Sequence, residues 1–219
     1  MATFKYLKKK HTVQFSKAGT IRLGTLYSYR ATENKALQDE FEGRTTYFVE
    51  PSEEPVELNN DEAHKLFSPH IFKEGMTIMP KAHVTKENTV LDAFVFCTSS
   101  VLNDQLMKKW DYDAYYKIVD PMQFGKIIFG ELSKSIPLQA YRVGKVSYVE
   151  TKQISITNAN KSEGLSAISD DPWDGYFTKP QRFKDEKEIR MVFVPEPEVQ
   201  IGSYRYITCK ELLTCCKFE

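Results

Sequence analysis

The sequence lacks a long hydrophobic run, a net charge and an export signal. No apolar stretch approaches the ~20 residues that a helix needs to span a bilayer. The first residues, Met-Ala-Thr-Phe-Lys-Tyr, contain no apolar segment of the signal-peptide kind. The 30 basic residues balance the 30 acidic ones, so the whole surface has no general attraction for polyanions, although a local basic patch remains open. We therefore expect a cytoplasmic protein with no membrane partner.

Several motifs of common enzyme classes are also missing. The chain contains no G-x-G-x-x-G, no G-x-x-x-x-G-K-[ST], no H-E-x-x-H and no G-x-S-x-G. Their absence argues against nucleotide binding through a glycine loop, zinc proteolysis and α/β-hydrolase chemistry. The cysteines form no C-x-x-C pair, so we expect no metal site and reduced thiols at Cys97, Cys209, Cys215 and Cys216.

The apolar residues present are enough for a folded core, since 41% of the 219 residues are hydrophobic. Strand and helix patterns do not alternate regularly, so we expect an α+β fold with a mixed or antiparallel central sheet and short helices. Residues 1–219 are expected to form one domain. The clearest patterns predict strands at Thr20–Arg30, Thr77–Val84, Ala93–Ser99 and Glu188–Val194, helices at Thr32–Phe41, Asn103–Trp110 and Pro121–Ser133, and a loop at Ser162–Trp173.

Three groups of polar residues lie at predicted strands and are candidates for chemistry. Arg22 lies in the first alternating run, and a hydroxyl cluster, Thr98-Ser99-Ser100, leaves the most apolar strand. Glu186 and Glu188 begin the last core strand, where alternation places both carboxylates on one face. Structural explanations stay open for each group: a solvated β ladder, a turn cap and a wet charged surface.

The order arginine, hydroxyl cluster and Glu-x-Glu resembles the Arg–Ser–Glu class of ADP-ribosyltransferases. The matching positions are Arg22, Thr98 with Ser99, and Glu186 with Glu188. The resemblance implies split sheets and a site that uses NAD as substrate.

The chain departs from this pattern at two points. Cys97 stands where the family usually has its first serine, and the long interval between Ser99 and Glu188 implies an insertion, which we place near residues 103–134 as a helical segment. Arg30 or His11 are alternatives for the arginine position.

The whole chain also resembles a broad group of poorly characterised bacterial and phage-defence proteins. The shared outline is G-T-L-x-x-Y-R with D-E-x-E-G near the N-terminus, and K-P-x-x-F-x-x-E-x-E-x-R between Lys179 and Arg190. This resemblance spans roughly Phe4 to Val194. It implies a toxin or defence effector whose partners are a macromolecular acceptor, nucleic acid or protein, and an antitoxin or other defence partner.

The resemblance to the transferases assigns roles to individual residues. Glu188 would bind the ribose 2′-hydroxyl and stabilise the positive charge that develops when the nicotinamide–ribose bond breaks. Ser99 would orient the ribose or Glu188, and Glu186 would activate the acceptor. The remaining cofactor-binding candidates are Arg22, Arg30, Thr98, Tyr27 and Phe183, with arginine contacting ribose or pyrophosphate and the aromatic rings stacking on nicotinamide.

Two other functions stay open. The first is a noncatalytic binding or sensor module of phage defence, in which Glu188 would be paired to Arg190 or Lys179 in an occluded cleft. The second is a metal-dependent nuclease, for which the sequence offers the carboxylates of Asp39, Glu40, Glu42, Asp111 and Asp113.

Overall fold

The computed structural model describes residues 1–31, 38–40, 42–50, 52–67, 75–149 and 152–218. These residues form an α+β fold with short helices and several sheets, as the sequence predicts. The strands are β1 (Thr3–Leu7), β2 (Thr20–Thr25), β3 (Arg44–Glu50), β4 (Val56–Leu58), β5 (Met76–Ile78), β6 (Val84–Thr89), β7 (Phe94–Ser99), β8 (Ala114–Ile118), β9 (Leu138–Lys145), β10 (Ser147–Val149), β11 (Lys152–Ser155), β12 (Thr178–Pro180), β13 (Glu188–Pro195), β14 (Tyr204–Thr208) and β15 (Cys216–Lys217). The helices are α1 (Lys9–Ala18), α2 (Leu26–Arg30), α3 (Asn60–Leu66), α4 (Asp104–Lys109), α5 (Pro121–Ser133) and α6 (Lys161–Ser166), with 3-10 turns at Asp174–Tyr176, Gln181–Glu186 and Lys210–Cys215.

The described chain divides into two compact units. Unit 1 contains residues 1–43, 91–148 and 176–219, and unit 2 contains residues 44–90 and 149–175. Residues 103–134 hold α4, β8 and α5 and belong to unit 1. Whether they represent an insertion relative to a transferase stays a prediction.

Unit 1 is built on an eight-stranded antiparallel sheet. Its order is β14-β2-β7-β1-β8-β15, with β13 pairing to β7 and β9 to β13. Alternate residues of the central strands, such as Phe96 on β7 and Met191 and Phe193 on β13, are buried on one face with Phe124 and Ile128 of α5. The apolar stripe of α5 covers this face and its burial removes it from water, which stabilises the fold.

One edge of β7 is shared by two strands that part from each other. Near its start β7 pairs with β2 at Val95, and at its end it pairs with β1, where Ser99 lies opposite Phe4. Between these two points, the carbonyl oxygen of Cys97 accepts a hydrogen bond of 2.8 Å from Lys5 Nζ. A lysine side chain therefore occupies the split in the sheet.

Unit 2 has its own sheet and core. Strand β3 pairs antiparallel with β6 and parallel with β11, while β4 and β5 form a separate antiparallel pair. Tyr47, Val49 and Ile154 are buried together in this unit with residues of α3 and α6. Helix α3 begins at a capping box, in which Asn59 and Glu62 bond to each other's backbone amides.

Most strong sequence patterns are confirmed, and the differences have local causes. The predicted strand at Thr20–Arg30 ends at Thr25, because the Thr25 side chain accepts a bond from the Ser28 amide and starts α2. The predicted loop at Ser162–Trp173 contains most of α6, and Thr77–Val84 is not one strand but parts of β5 and β6. The predicted helix at Thr32–Phe41 lies largely outside the described residues.

Candidate functional site

A small pocket, which we call the inner pocket, lies within unit 1 beside the split in the sheet. Its cavity of about 100 Å³ is enough for a few water molecules or one ring, and a dinucleotide would extend beyond it. The pocket is lined by Phe4, Lys5, Tyr6, Tyr29, Glu42, Cys97, Thr98, Ser99, Trp110, Tyr112, Lys179, Glu186, Glu188 and Arg190.

Strand register brings the predicted catalytic residues to this pocket. Glu188 at the start of β13 lies opposite Ser99 at the end of β7, and Phe4 of β1 lies on the other side of Ser99. The next row places Arg190 opposite Cys97. Because partners in an antiparallel pair share a face, these side chains gather on the face away from the α5 core.

Charged groups form a buried network around Glu188. One carboxylate oxygen of Glu188 accepts a bond from Arg190 Nε at 2.8 Å, and the other lies 3.1 Å from Lys179 Nζ. Lys179 also donates to Glu186 Oε2 at 2.8 Å, and Arg190 Nη1 donates to Glu42 Oε1 at 2.7 Å. Glu188 is 5% exposed and Arg190 1%, so these pairs are shielded from solvent. Both carboxylate oxygens of Glu188 are thus occupied by buried cations.

The two glutamates of the Glu-x-Glu pair titrate differently. Burial alone would raise the pKa of Glu188, but the attraction of Arg190 and Lys179 outweighs it and holds this pKa well below its usual range. Burial raises the pKa of Glu186 to about 7, with Lys179 offsetting part of that effect. Burial and the nearby Glu188 raise the pKa of the Cys97 thiol to about 12, so this thiol is protonated at neutral pH.

The predicted hydroxyl residues are bonded to backbone. Ser99 Oγ donates to the carbonyl of Glu186 at 2.7 Å and accepts from the amide of Val101 at 3.2 Å. Thr98 Oγ1 donates to the carbonyl of Ile189 at 3.0 Å. Ser99 therefore fixes the turn that carries Glu186, and Thr98 links β7 to β13.

The other cofactor-binding candidates do not line the inner pocket. Arg22 is exposed, and its guanidinium lies 5.6 Å from the ring centre of Tyr204. Arg30 stacks on Tyr27 at 3.8 Å and donates from Nε to the carbonyl of Glu42. Phe183 is buried outside the pocket and contacts the side chains of Lys179 and Arg182.

A second concavity in unit 1, which we call the outer groove, shares Glu186 with the inner pocket. It is lined by Val101, Asn103, Gln105, Leu106, Lys109, Arg182, Phe183, Asp185, Glu186 and Lys187. Glu186 thus faces both spaces, while Glu188 lines the inner pocket alone.

Sequence reasoning missed several pocket residues. Lys5 and Tyr6 belong to β1, whose run T-F-K-Y-L is short and carries a lysine in its middle. Tyr29 and Trp110 reach the pocket from helix ends. The alternation of Phe4 and Tyr6 was the one available signal for β1.

The carboxylates considered for a nuclease do not gather around a common point. Asp111 pairs with Lys8 at 2.6 Å, and Asp113 accepts from the amide of Lys9. Glu42 forms a buried ion pair with Arg190. In the part of the chain that the structure describes, no three His, Cys, Asp or Glu side chains are close enough to hold a metal ion.

Comparison with known protein families, with characterised proteins and with solved structures returns no match. Among the described residues, every helix is too short or too polar to cross a membrane.

Proposed function

We propose that this protein is a noncatalytic ligand-binding module whose inner pocket takes one polar ring. The observation that carries the proposal is the occupation of both Glu188 oxygens by Arg190 and Lys179. A carboxylate that stabilises a sugar cation must present its negative charge to that cation. Two buried cations at 2.8 and 3.1 Å reduce the negative charge that Glu188 presents, although Lys179 is shared with Glu186 and Arg190 with Glu42, and a ligand would compete with these cations for the same two oxygens.

The lining of the pocket supports a flat, uncharged ligand. Aromatic side chains, among them Tyr29, Trp110 and Tyr112, form part of its wall and are suited to contact the faces or edges of a ring. The Trp110 Nε1 donor is buried and has no hydrogen-bond partner among the described residues. Glu186 supplies a carboxyl group that can donate or accept, because its pKa is about 7. A carboxamide-bearing ring such as nicotinamide fits both the size and these groups.

The test uses Trp110 as its own reporter. The chain has two tryptophans, and Trp173 lies in unit 2, so Trp173→Phe leaves Trp110 as the sole source of tryptophan emission. Titration with nicotinamide, ribose and NAD should change that emission, with a matching heat by calorimetry. Glu186→Ala should weaken binding. If none of the three compounds at ~1 mM changes the Trp110 emission or produces a heat of binding, the pocket is rejected as a binding site.

A second candidate, an NAD-dependent ADP-ribosyltransferase, is favoured by one specific observation. The structure brings Ser99 close to Glu186 and Glu188, although Ser99 is far from these glutamates in the sequence. Glu186 also faces the outer groove, where an acceptor would approach. In this function Glu188 exchanges one of its cations for the ribose 2′-hydroxyl. Glu186 is then a base for the acceptor.

The two candidates differ in whether NAD is consumed. NAD is incubated with the protein and a cell extract, and free ADP-ribose and modified macromolecules are measured in parallel. For the transferase, Glu188→Ala abolishes both products, and Glu186→Ala reduces transfer much more than hydrolysis. Binding of NAD or nicotinamide without consumption supports the noncatalytic module, in line with the resemblance to phage-defence proteins.

The proposal also places the protein in the cytoplasm. All four cysteines are free thiols, which suits a reducing compartment.

A further inference from the structure

Strand β14 presents two tyrosines to solvent at one end of the main sheet of unit 1. Tyr204 is 55% exposed and Tyr206 58%, and their ring centres lie 5.6 Å apart. They share a face because they are two positions apart. On the opposite face of the strand, Ile207 is buried in the core. The core therefore fixes the strand, and the tyrosines remain free of it.

Arg22 on β2 completes this surface. It lies opposite Tyr206 in the antiparallel register, and its guanidinium is 5.6 Å from the ring centre of Tyr204. No described carboxylate forms an ion pair with Arg22. We call Arg22, Tyr204 and Tyr206 the edge platform.

The charge around the edge platform is positive. The strand segments 20–25 and 203–208 contain no aspartate or glutamate, and Arg22 is their charged residue on the platform face, because Arg205 alternates to the opposite face. The whole chain is neutral, so this is a local departure from its average. Arginine fixed over an aromatic ring retains its charge and its free donors.

The edge platform and the inner pocket lie on the same face of the main sheet. Gly24, two residues after Arg22 on β2, lies opposite Val95, so Arg22 and Cys97 share one face of the sheet. The Tyr29 ring covers Gly24, where a Cβ would lie 3.2 Å from that ring. Tyr29 also lines the inner pocket. A molecule on the platform thus lies on the same face as the pocket.

We propose that the edge platform binds single-stranded nucleic acid, with bases stacked on the exposed faces of Tyr204 and Tyr206, whose planes are inclined at 77° to each other, and a phosphate bound by Arg22. Exposed aromatic rings beside cations are the elements that hold unpaired strands, because every base has a flat face and every linkage a negative charge. The absence of carboxylates from these segments favours this anionic partner over an ordinary protein surface.

The test is fluorescence anisotropy with labelled single strands of oligo-dT and oligo-U of about 12 nucleotides. The wild-type protein should bind at about 50 mM salt, more tightly than it binds a duplex of the same length. Tyr204→Ala and Tyr206→Ala should each weaken binding, by about 5-fold to 150-fold. Phe48→Ala is the matched control, since Phe48 is a strand aromatic of 44% exposure in unit 2. It should leave binding unchanged.

Arg22→Gln tests the phosphate interaction separately. The slope of log affinity against log salt should fall by roughly 0.7, because the variant neutralises one phosphate fewer than the wild type. Thermal melts establish that each variant is folded.

Four results would overturn the proposal. They are no binding at about 100 µM protein, where even nonspecific sites fill; equal affinity for the duplex; tyrosine variants that bind as the wild type does; and equal loss in Phe48→Ala. A dimer in light scattering that the tyrosine variants abolish would assign the platform to a protein partner instead. The Trp110 titration is independent of all these results, so failure here leaves the proposed pocket ligand standing.

Discussion

Removing Arg190 should destabilise unit 1 far more than removing an exposed cation of similar geometry. In Arg190→Met the side chain keeps an unbranched apolar stem and loses the charged guanidinium group. Glu42 then loses the cation at 2.7 Å, and Glu188 keeps only Lys179. Glu42 is 2% exposed, so bulk solvent compensates little for the lost partner.

The expected loss of stability in Arg190→Met follows from the protonation of Glu42 in the variant. Burial already raises the pKa of Glu42, and without Arg190 this carboxyl takes up a proton rather than remain charged. Neutralising a carboxyl of ordinary pKa about 4.5 costs about 1.4 kcal/mol for each pH unit above that value, hence about 3.4 kcal/mol at about pH 7. Arg190 also loses its hydrogen bonds to Glu188, to Glu42 and to the carbonyl oxygen of Tyr176, and we expect a total loss of about 3–5 kcal/mol.

This origin of the cost makes it depend on pH. In the variant the folded protein holds a proton on Glu42 that the unfolded chain releases above its ordinary pKa, so the stability of the variant falls as pH rises. At about pH 5 the neutralisation costs only about 0.7 kcal/mol. Because the pKa of Glu42 is already raised with Arg190 present, the wild type shares part of this dependence, so the difference between wild type and Arg190→Met should shrink by less than about 2.7 kcal/mol between about pH 7 and pH 5.

Urea unfolding provides the assay, with Trp173→Phe as background so that emission reports on Trp110 in unit 1. The matched control is Lys8→Met. Lys8 pairs with Asp111 at 2.6 Å, but the two side chains are 36% and 89% exposed. The control should cost less than about 1 kcal/mol. A loss below about 1 kcal/mol in Arg190→Met, or a loss that is equal at both pH values, would refute the reasoning.

Two further predictions concern Glu186 and two glycines. Because the pKa of Glu186 is raised to about 7, the folded protein holds a proton that the unfolded chain releases above about 4.5, so the free energy of unfolding should fall as pH rises through this window. In urea titrations Glu186→Gln should flatten this pH dependence. The control Glu131→Gln, at the helix pair of Glu131 with Lys134, should leave it unchanged. Gly19 has φ +67°, and a Cβ there would lie 2.0 Å from the carbonyl oxygen of Cys209, so Gly19→Ala should lower the melting temperature sharply. Gly130 in α5 has open space around it, and Gly130→Ala should add about 0.5–1 kcal/mol; a melting temperature that moves the same way in both variants would contradict this reading.

The spacing of apolar residues and the position of proline predicted those helices and strands that have a distinct local sequence pattern. Helix α5 was predicted with its observed bounds, because Pro121 suits a first turn and its apolar residues repeat at helical spacing. Strands β7 and β13 follow from short apolar runs. Helix α2 was missed because the capping box at Thr25 interrupts a run that alternates like a strand.

The candidate site was predictable only in part. The spacing of Glu186 and Glu188 and the position of Ser99 indicated residues that do share a pocket. The partner of Arg190, by contrast, is Glu42, which is 148 positions away. Glu42 lies in a turn before β3 and not on a strand of the main sheet, so its pairing with Arg190 leaves no periodic trace in the sequence.

The position of β13 has a consequence for folding during synthesis. It lies between β7 and β9 in the sheet, yet it follows both in the chain. Until residues 188–195 leave the ribosome, each of these strands has an edge without its native partner, and such edges invite pairing with other chains. The sheet of unit 1 therefore cannot close progressively from the N-terminus. A nascent chain halted before β13 lacks the strand that joins β9 to the rest of the sheet, and we expect it to depend on chaperones.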